Sequence, residues 1–319
     1  CDRTLAREVA PVERLGQQTE RNPAMARHLY CHVPFCRRKC AYCAFYSLPD
    51  PAPGTIARYL QRLAQSVMAA AADLPPLQTV YFGGGTPTSL APAQLRELLN
   101  LLDRCALDPG AEISIECNPD TLDDHKAEIL ASRVNRVSLG VQSFFPNRRR
   151  QLGRHGLQGV NRAVQRLLAH GIANLNIDLI YGIPGQTLAD WQKELDRALE
   201  LPISHLSAYA LTVEEGSFLA RRSSLKPADE SLLADLWEYT GERLAAAGLP
   251  RYEISNYARP GAECRHHLAV WLGQPYLGLG PAASSFDGRT RWSYPPDLDF
   301  WLTDDSRRPD RLSPQRRAR

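Results

Sequence analysis

The feature that most constrains the fold is a sixfold alternation of short apolar runs with longer amphipathic ones. The short runs are rich in β-branched and aromatic residues, as buried strands are, and occupy residues 29–33, 79–82, 112–117, 136–139, 174–180 and 205–209. The longer runs carry apolar residues at helical spacing and occupy residues 56–72, 91–102, 121–131, 157–170 and 187–201. Because strands that alternate with helices form parallel sheets, we predict an α/β fold whose sheet is open or partly closed into a barrel.

The alternation ends after residue 209, and a smaller segment of mixed helix and strand is expected beyond it. The first candidate start is Met25, and the residues before it lack the apolar core of a signal peptide. Six Arg and three Asp in the last sixteen residues account for the whole net charge of +3. We therefore predict four segments, which are a disordered leader (1–24), the barrel (25–212), a post-barrel segment (213–303) and a disordered or truncated basic tail (304–319).

Composition and charge narrow the class of protein. Hydrophobic residues make up 44% of the chain and charged residues 23%, which are ordinary values for a globular protein. No apolar run approaches the roughly 18 residues that a membrane helix needs. Since the charges outside the tail sum to zero, a broad nucleic-acid-binding face is not indicated. We expect a cytoplasmic protein without nucleic-acid or membrane partners.

Three of the eight cysteines, Cys36, Cys40 and Cys43, form a C-x3-C-x2-C pattern in the loop after the first predicted strand. Ligands bind at the carboxyl ends of strands in parallel sheets and barrels. Clustered cysteines without an export signal indicate a metal site rather than disulfides. A structural zinc would need a fourth ligand, such as Cys31 or His32, whereas a [4Fe–4S] cluster on three thiolates leaves one iron open for a small molecule. The spacing favours the cluster.

Polar or glycine-rich residues follow the other predicted strands. The GGGT run after the second strand would expose N–H groups to an amino-acid or phosphate moiety, or would form only a tight turn. Glu116, at the end of the third strand, suits a ribose hydroxyl or a helix cap. Asp178 lies in an apolar strand run, where a charge is costly unless it is paired or bound to a ligand. The further candidates in these loops are Gly84, Gly85, Thr86, Gln142 and Arg154.

The cysteine pattern, with the aromatic Tyr42 before its last cysteine, resembles the cluster motif of the radical S-adenosylmethionine (radical SAM) superfamily. That resemblance implies a partial (β/α)6 barrel similar to a TIM barrel, with a smaller carboxyl-terminal α+β segment. It also implies a [4Fe–4S] cluster on Cys36, Cys40 and Cys43 whose open iron binds SAM. In the superfamily, an electron supplied to the cluster cleaves SAM to methionine and a 5′-deoxyadenosyl radical.

A longer set of motifs, from about residue 29 to about residue 288, resembles one branch of the superfamily. The branch contains oxygen-independent coproporphyrinogen dehydrogenase and the related heme chaperones of the HemW family. The motifs are LYCHVPFC, GGGTPT, ECNP, LGVQSF, LGRH, NIDLIYGIPGQT and YEISNYARPGAECRH. The resemblance implies contacts to one SAM from Tyr30, Gly84 and Glu116, and to a second SAM from Tyr42, Gly85, Thr86, Gln142, Arg154 and Asp178.

Two positions favour the heme chaperones within this branch. The dehydrogenase pattern has a fourth cysteine two residues after the third, where this chain has Phe45. The chaperones have a C-R-H-N-x-x-Y-W-like stretch, which this chain matches at His266 and Trp271. His267 replaces the Asn of that stretch and Val270 replaces the Tyr. The resemblance thus implies heme contacts from His266, His267 and Trp271, with an imidazole as the candidate iron ligand.

We therefore predict a heme chaperone that binds a [4Fe–4S] cluster, SAM and heme and delivers heme to acceptor apoproteins. The alternative is a coproporphyrinogen III dehydrogenase of porphyrin biosynthesis, which the intact SAM loops favour and Phe45 disfavours. A radical SAM enzyme acting on RNA is a third hypothesis, which the charge does not support. The prediction includes an electron donor for the cluster, and it leaves open a homodimer and the cleavage of SAM.

Overall fold

The structure is a computed structural model, and it describes residues 26–154, 159–221, 228–304 and 306–310. The predicted leader and residues 311–319 of the predicted tail lie outside the described residues. In chain order the strands are β1 (His28–Val33), β2 (Phe35–Cys36), β3 (Leu48–Pro49), β4 (Leu77–Gly84), β5 (Leu107–Cys117), β6 (Arg136–Gln142), β7 (Asn174–Tyr181), β8 (His205–Ala210), β9 (Asn256–Ala258), β10 (Tyr276–Leu279), β11 (Ser284–Phe286), β12 (Arg291–Ser293) and β13 (Arg308–Asp310).

Helices lie between most of these strands. They are α1 (Thr55–Ala71), α2 (Pro92–Leu99), α3 (Asp124–Ala131), α4 (Pro146–Gln151), α5 (Val160–Ala169), α6 (Leu188–Leu199), α7 (Glu230–Ala246), α8 (Arg265–Trp271) and α9 (Leu298–Thr303). Within the described ranges, none of them combines the length and the apolar character needed to cross a membrane.

Six parallel strands form the wall of a partial barrel in the order β1-β4-β5-β6-β7-β8. The helices α1 to α6 connect these strands, with α4 and α5 together between β6 and β7. Strands that are sequential in the barrel are therefore neighbours in the sheet, as is usual for strands joined by crossover helices. The predicted α/β fold with a partial six-stranded barrel is confirmed.

The carboxyl-terminal segment continues the same sheet at both of its edges. β10 pairs with β1 in parallel, with Tyr276 opposite His28, and β11 and β12 follow as antiparallel strands. At the other edge β9 pairs antiparallel with β8. The result is a sheet of eleven strands in the described chain, so the post-barrel segment is built onto the barrel and does not stand apart from it.

The far edge of the sheet differs from the predicted disordered tail. β13 pairs with β12, with Pro309 opposite Trp292. The guanidinium carbon of Arg307 lies 4.8 Å from the ring centre of Tyr294, a cation–π contact. These contacts hold residues 306–310 on the sheet. An Arg- and Pro-rich run can form a strand here because β12 offers it an unpaired sheet edge.

Capping hydrogen bonds define the start of α6, and a buried side chain joins this helix to α7. The Thr187 hydroxyl accepts a hydrogen bond from the Asp190 N–H at 3.1 Å, and the Asp190 carboxylate accepts one from the Thr187 N–H at 3.1 Å. This reciprocal capping box satisfies two N–H groups at the start of the helix. One turn later the buried Trp191 donates its indole N–H to the Thr240 hydroxyl of α7 at 2.7 Å, which holds α7 against α6.

A buried aromatic cluster joins the carboxyl-terminal segment to the barrel. Trp301 of α9 is fully buried, and its ring centre lies 5.5 Å from that of Tyr59 in α1 and 6.4 Å from that of Tyr294. The Tyr59 hydroxyl donates a hydrogen bond to the backbone carbonyl of His32 in β1 at 2.7 Å. Trp301 therefore supports the strand that leads into the cysteine loop.

We expect Trp301→Ala to lower the free energy of unfolding by about 3–5 kcal/mol, because it removes a large side chain from a closed core site. Trp271→Ala is the matched control, since Trp271 is 49% exposed and its loss should cost less than about 1 kcal/mol. Urea denaturation followed by circular dichroism measures both. Equal losses for the two variants would show that α9 does not anchor the segment.

Candidate functional site

One large cavity opens at the carboxyl ends of the barrel strands, where ligands bind in folds of this kind. Its volume is about 1170 Å³, above the range of about 300–1,000 Å³ that is usual for a site holding one small molecule. All fifteen residues singled out from the sequence line it, which are Tyr30, Cys36, Cys40, Tyr42, Cys43, Gly84, Gly85, Thr86, Glu116, Gln142, Arg154, Asp178, His266, His267 and Trp271. The structure therefore brings every predicted site residue to one place.

The cysteine loop leaves β1 and is closed by the short pair β2 and β3. The Cys36 thiol lies 3.6 Å from the Thr86 hydroxyl, and the Cys40 sulfur accepts a hydrogen bond from the Arg154 guanidinium at 3.6 Å. Burial raises the pKa of the Cys43 thiol to about 11 and also raises the pKa of Cys36. Such thiols lose their protons when a metal binds, so the loop has the chemistry of a metal-binding site.

The thiols of the cysteine loop do not converge on a site for a single metal ion. In the part of the chain that the structure describes, no three His, Cys, Asp or Glu side chains converge closely enough to hold one metal ion. A single tetrahedral zinc, with Zn–S bonds of about 2.3 Å, would place two thiolates about 3.8 Å apart. The irons of a cluster hold their thiolates farther from one another.

Neither candidate for a fourth zinc ligand is available. Cys31 is 1% exposed and belongs to the core on the other face of β1. Both ring nitrogens of His32 have partners, since Nδ1 lies 3.0 Å from the Tyr30 hydroxyl and Nε2 lies 2.9 Å from the carbonyl of Tyr46. Three thiols on the cavity wall, with neither Cys31 nor His32 available as a fourth ligand, fit a [4Fe–4S] cluster with one open iron.

The glycine-rich loop after β4 packs directly against the β1 side chains. Gly84 has a φ of +104°, and a Cβ at this position would lie 2.4 Å from the His32 ring. Its N–H donates to the carboxylate of Glu116 at 3.0 Å, and the Tyr81 hydroxyl donates to the same carboxylate at 3.2 Å. Burial, with a further contribution from Asp178, raises the pKa of Glu116 to about 7. Near neutral pH Glu116 can thus accept or donate a hydrogen bond to a ligand hydroxyl.

Asp178 is held by polar side chains that point into the barrel. Its carboxylate accepts hydrogen bonds from the Ser138 hydroxyl at 3.0 Å and from the Asn176 amide at 2.7 Å. Burial raises its pKa above the ordinary range of an Asp. Gln142, at a bulge where β6 meets β7, has a φ of +70° that turns the end of the strand. Bulges of this kind often re-aim side chains beside binding sites.

The two predicted histidines lie on α8, whose first amides are held by a buried carboxylate. Glu112 of β5 accepts hydrogen bonds from the N–H groups of Arg265 at 3.0 Å and His266 at 3.1 Å. His266 is 3% exposed, and its Nδ1 lies 2.7 Å from the Thr79 hydroxyl. The ring centre of His267 lies 5.0 Å from that of Tyr81 and faces the cavity.

His267 differs from the other buried or half-buried histidines. Each of those has at least one ring hydrogen bond, whereas the His267 ring has none among the described residues, and its Nδ1 is inaccessible to solvent. Burial, together with the positive charge of Arg136, lowers its pKa to about 4. At neutral pH the ring is therefore an uncharged imidazole, the form that binds metals. Trp271 extends the same wall, with its ring centre 5.4 Å from that of His267.

Several cavity residues were missed from the sequence. They form a polar lining inside the barrel and are Tyr81, Arg136, Ser138, Asn176, Ser207 and Asn256. The same signal that drew attention to Asp178, a charged residue in an apolar strand run, would have identified Arg136. The neutral polar residues carry no comparable signal, since Ser and Asn are common wherever a chain meets solvent.

Similarity to known proteins agrees with this geometry. Residues 30–198 match the radical SAM superfamily, and the chain also resembles the solved structure of coproporphyrinogen III oxidase (HemN) from Escherichia coli, a radical SAM enzyme. The TM-score is 0.79 at 25% identity, and the likeness covers 92% of this chain and 74% of that one. The chain is therefore a radical SAM protein, and membership of this superfamily implies a [4Fe–4S] cluster and SAM.

Curated relatives define the family more narrowly. The heme chaperone HemW of Mycobacterium tuberculosis (strain H37Rv) is 41% identical over 293 residues, which cover 89% of this chain and 75% of that protein. HemW of Escherichia coli (strain K12) is 37% identical over 262 residues, which cover 80% and 68%. Within the radical SAM superfamily, this chain belongs to the HemW family.

We expect Cys40→Ala to abolish the brown chromophore that anaerobic reconstitution with iron and sulfide gives the wild-type protein, because the cluster loses one of three thiolates. Cys105→Ala should leave the chromophore unchanged, since Cys105 packs against the core away from the cavity. Visible absorption and iron and sulfide analysis measure both variants. A colourless wild-type protein that contains only zinc would contradict the assignment.

The lowered pKa of His267 predicts a pH dependence of stability. The unfolded chain protonates this ring near pH 6.5, whereas the folded protein keeps it neutral down to about pH 4. The unfolded state thus binds more protons in this window, so stability falls as the pH falls through it. We expect the free energy of unfolding of His267→Asn to be less sensitive to pH there by up to roughly 1.4 kcal/mol per pH unit. Removing the exposed ring of His170 by the same substitution is the control, and an identical pH slope for wild type and His267→Asn would refute the prediction.

Proposed function

We propose that this chain is a heme chaperone that binds heme in the cavity inside the barrel and delivers it to acceptor apoproteins. Its HemW relatives carry the name heme chaperone, and the chain matches them along most of its length. The cavity is larger than one SAM-sized ligand requires, which leaves room for a second occupant. The proposal therefore assigns two kinds of ligand to one cavity.

The single observation that carries this proposal is the state of His267. Its ring lacks a hydrogen-bond partner among the described residues, is uncharged at neutral pH and faces the cavity. Because Nδ1 is enclosed, Nε2 is the nitrogen that can reach a heme iron. Trp271, half exposed beside it, supplies an apolar face against which a porphyrin can pack. His266 lies deeper and holds α8 on β4 through Thr79.

The other residues of the cavity are proposed to hold the cluster and SAM. Cys36, Cys40 and Cys43 would bind a [4Fe–4S] cluster, which supplies an electron to bound SAM when reduced. The residues proposed to contact SAM are Tyr30, Tyr42, Gly84, Gly85, Thr86, Glu116, Gln142, Arg154 and Asp178. Glu116, with its raised pKa, would hydrogen-bond a ribose hydroxyl, and Arg154 would steady the loop by its bond to Cys40.

The dehydrogenase reaction is the second candidate, and the likeness to the HemN structure favours it. Every residue predicted to contact SAM lines the cavity, as such an enzyme would require. Phe45 argues against it, because the position at which the dehydrogenase pattern has a fourth cysteine carries a phenylalanine that is 70% exposed at the cavity. A side chain of that kind suits packing against an apolar ligand rather than electron or proton transfer.

A reducing compartment is part of the proposal. All seven cysteines of the described chain are free thiols, including three that the cluster requires in reduced form. We propose a cytoplasmic protein that meets its apoprotein partners and an electron donor for the cluster there.

We expect the cluster-reconstituted wild type to bind heme at one molecule per chain, with an absorption spectrum typical of imidazole ligation. His267→Ala should shift the Soret band and weaken heme affinity at least about tenfold, which corresponds to about 1.4 kcal/mol. His170→Ala, which removes an exposed imidazole, should change neither. Anaerobic incubation with SAM, reductant and coproporphyrinogen III on the same preparation completes the test: turnover without heme uptake would establish the dehydrogenase in place of the chaperone.

A further inference from the structure

Arg136 is a buried cation that forms no side-chain hydrogen bond or ion pair with the described residues. It is the first residue of β6, its side chain points into the barrel, and the residue is 1% exposed. No hydrogen bond or ion pair joins its guanidinium to any residue that the structure describes, and its Nε is enclosed and unsatisfied. Burying a charge in this way is costly unless something binds it. A bound anion would offset that cost.

The nearby carboxylates attract Arg136 but do not bond to it. Glu112 and Asp178 both interact with its charge through space. The oxygens of Glu112 are taken by the first two amides of α8, and those of Asp178 by Ser138 and Asn176. The guanidinium thus interacts electrostatically with both carboxylates but forms a hydrogen bond with neither. Its N–H donors are therefore available to a ligand.

The free donors of Arg136 face the cavity. Arg136 lines the same wall as Tyr81 and His267, and its charge lowers the pKa of the His267 ring. A guanidinium presents parallel N–H groups whose spacing matches the two oxygens of a carboxylate. In a water-poor site such a bidentate pair is among the stronger hydrogen-bonded contacts that a protein can make. The ligand group that fits this position is therefore a carboxylate.

We propose that Arg136 is a binding residue that receives a carboxylate of the tetrapyrrole in the cavity, while His267 faces its centre. The inference rests on the proposed function, because that function places heme, with its two propionate carboxylates, in the cavity beside SAM. In this arrangement, a propionate side chain of the tetrapyrrole binds to a residue of the barrel wall. Strand β6 thereby contributes to ligand selectivity. A tetrapyrrole whose carboxylates are blocked would lose this contact and keep the others.

The test separates the carboxylate from the iron by using three ligands. Heme, metal-free protoporphyrin IX and protoporphyrin IX dimethyl ester are titrated into wild type, Arg136→Gln, Arg136→Lys and the control Arg133→Gln, with fluorescence quenching or absorption as the readout. Arg133 is a surface arginine paired with Asp103. We expect the wild type to bind the free acid at least tenfold more tightly than the ester.

Arg136→Gln should lose that preference: its affinity for the free acid should fall at least tenfold, and its affinity for the ester should not change. Arg136→Lys should retain part of the preference. The unfolding midpoint of Arg136→Gln should be unchanged or higher, because the substitution removes an unpaired buried charge. Arg133→Gln should behave as wild type with all three ligands.

Two results would overturn the proposal and leave the chaperone function standing. One is equal affinity of the wild type for the acid and the ester while heme still binds. The other is an Arg136→Gln protein whose midpoint falls and whose affinity drops equally for all three ligands, which would make Arg136 a structural residue. A wild-type protein that binds neither heme nor porphyrin would refute the proposed function, and this inference with it.

Discussion

The parallel pairing of β1 with β4 on one side and β10 on the other is the constraint on which the site depends. β1 leads into the cysteine loop, β4 ends in the glycine-rich loop, and β10 follows the short helix that carries His267. Each of these pieces is too short to hold a fixed position alone. The parallel pairing fixes the cysteine loop and the glycine-rich loop at the carboxyl end of the barrel and α8 at its amino end, where Thr79 of β4 holds His266. The buried Tyr59 and Trp301 support β1 from behind.

Burial then decides the charge of the groups that face the cavity. Glu116 has its pKa raised to about 7, and the imidazole of His267 has its pKa lowered to about 4, so both favour their uncharged forms more than they would in water. Asp178 keeps its hydrogen bonds to neutral partners on neighbouring strands. Arg136 and Arg154 are buried cations in this otherwise weakly charged lining. Because electrostatic contacts are stronger where water is scarce, these two side chains can bind an anionic ligand group strongly.

The barrel could be predicted from sequence because it depends on local patterns, whereas most residues of the candidate site were proposed from the resemblance to a family. Strand and helix periodicity marked the six βα units, and the rule that ligands gather at strand ends pointed to the segments that hold Cys36, Gly84 and Glu116. The continuation of the sheet through β10 to β13 could not be predicted in this way, since pairing between residues so distant in sequence leaves no periodic trace. Arg136 was missed for a related reason: whether a buried charge has a partner is a property of the folded neighbourhood, and the sequence shows only that the charge is there.

The position of β10 has a consequence for the newly made chain. β10 and α8 leave the ribosome long after the cysteine loop, so the nascent barrel has an uncovered edge along β1 until β10 has been made. An unpaired strand of apolar residues is a site for mispairing with other chains, and a cluster inserted at that stage would sit in a cavity that lacks its third wall. The order of translation therefore favours delivery of iron and sulfide to the finished chain, and it makes the shielding of β1 a task for whatever protects this protein during synthesis.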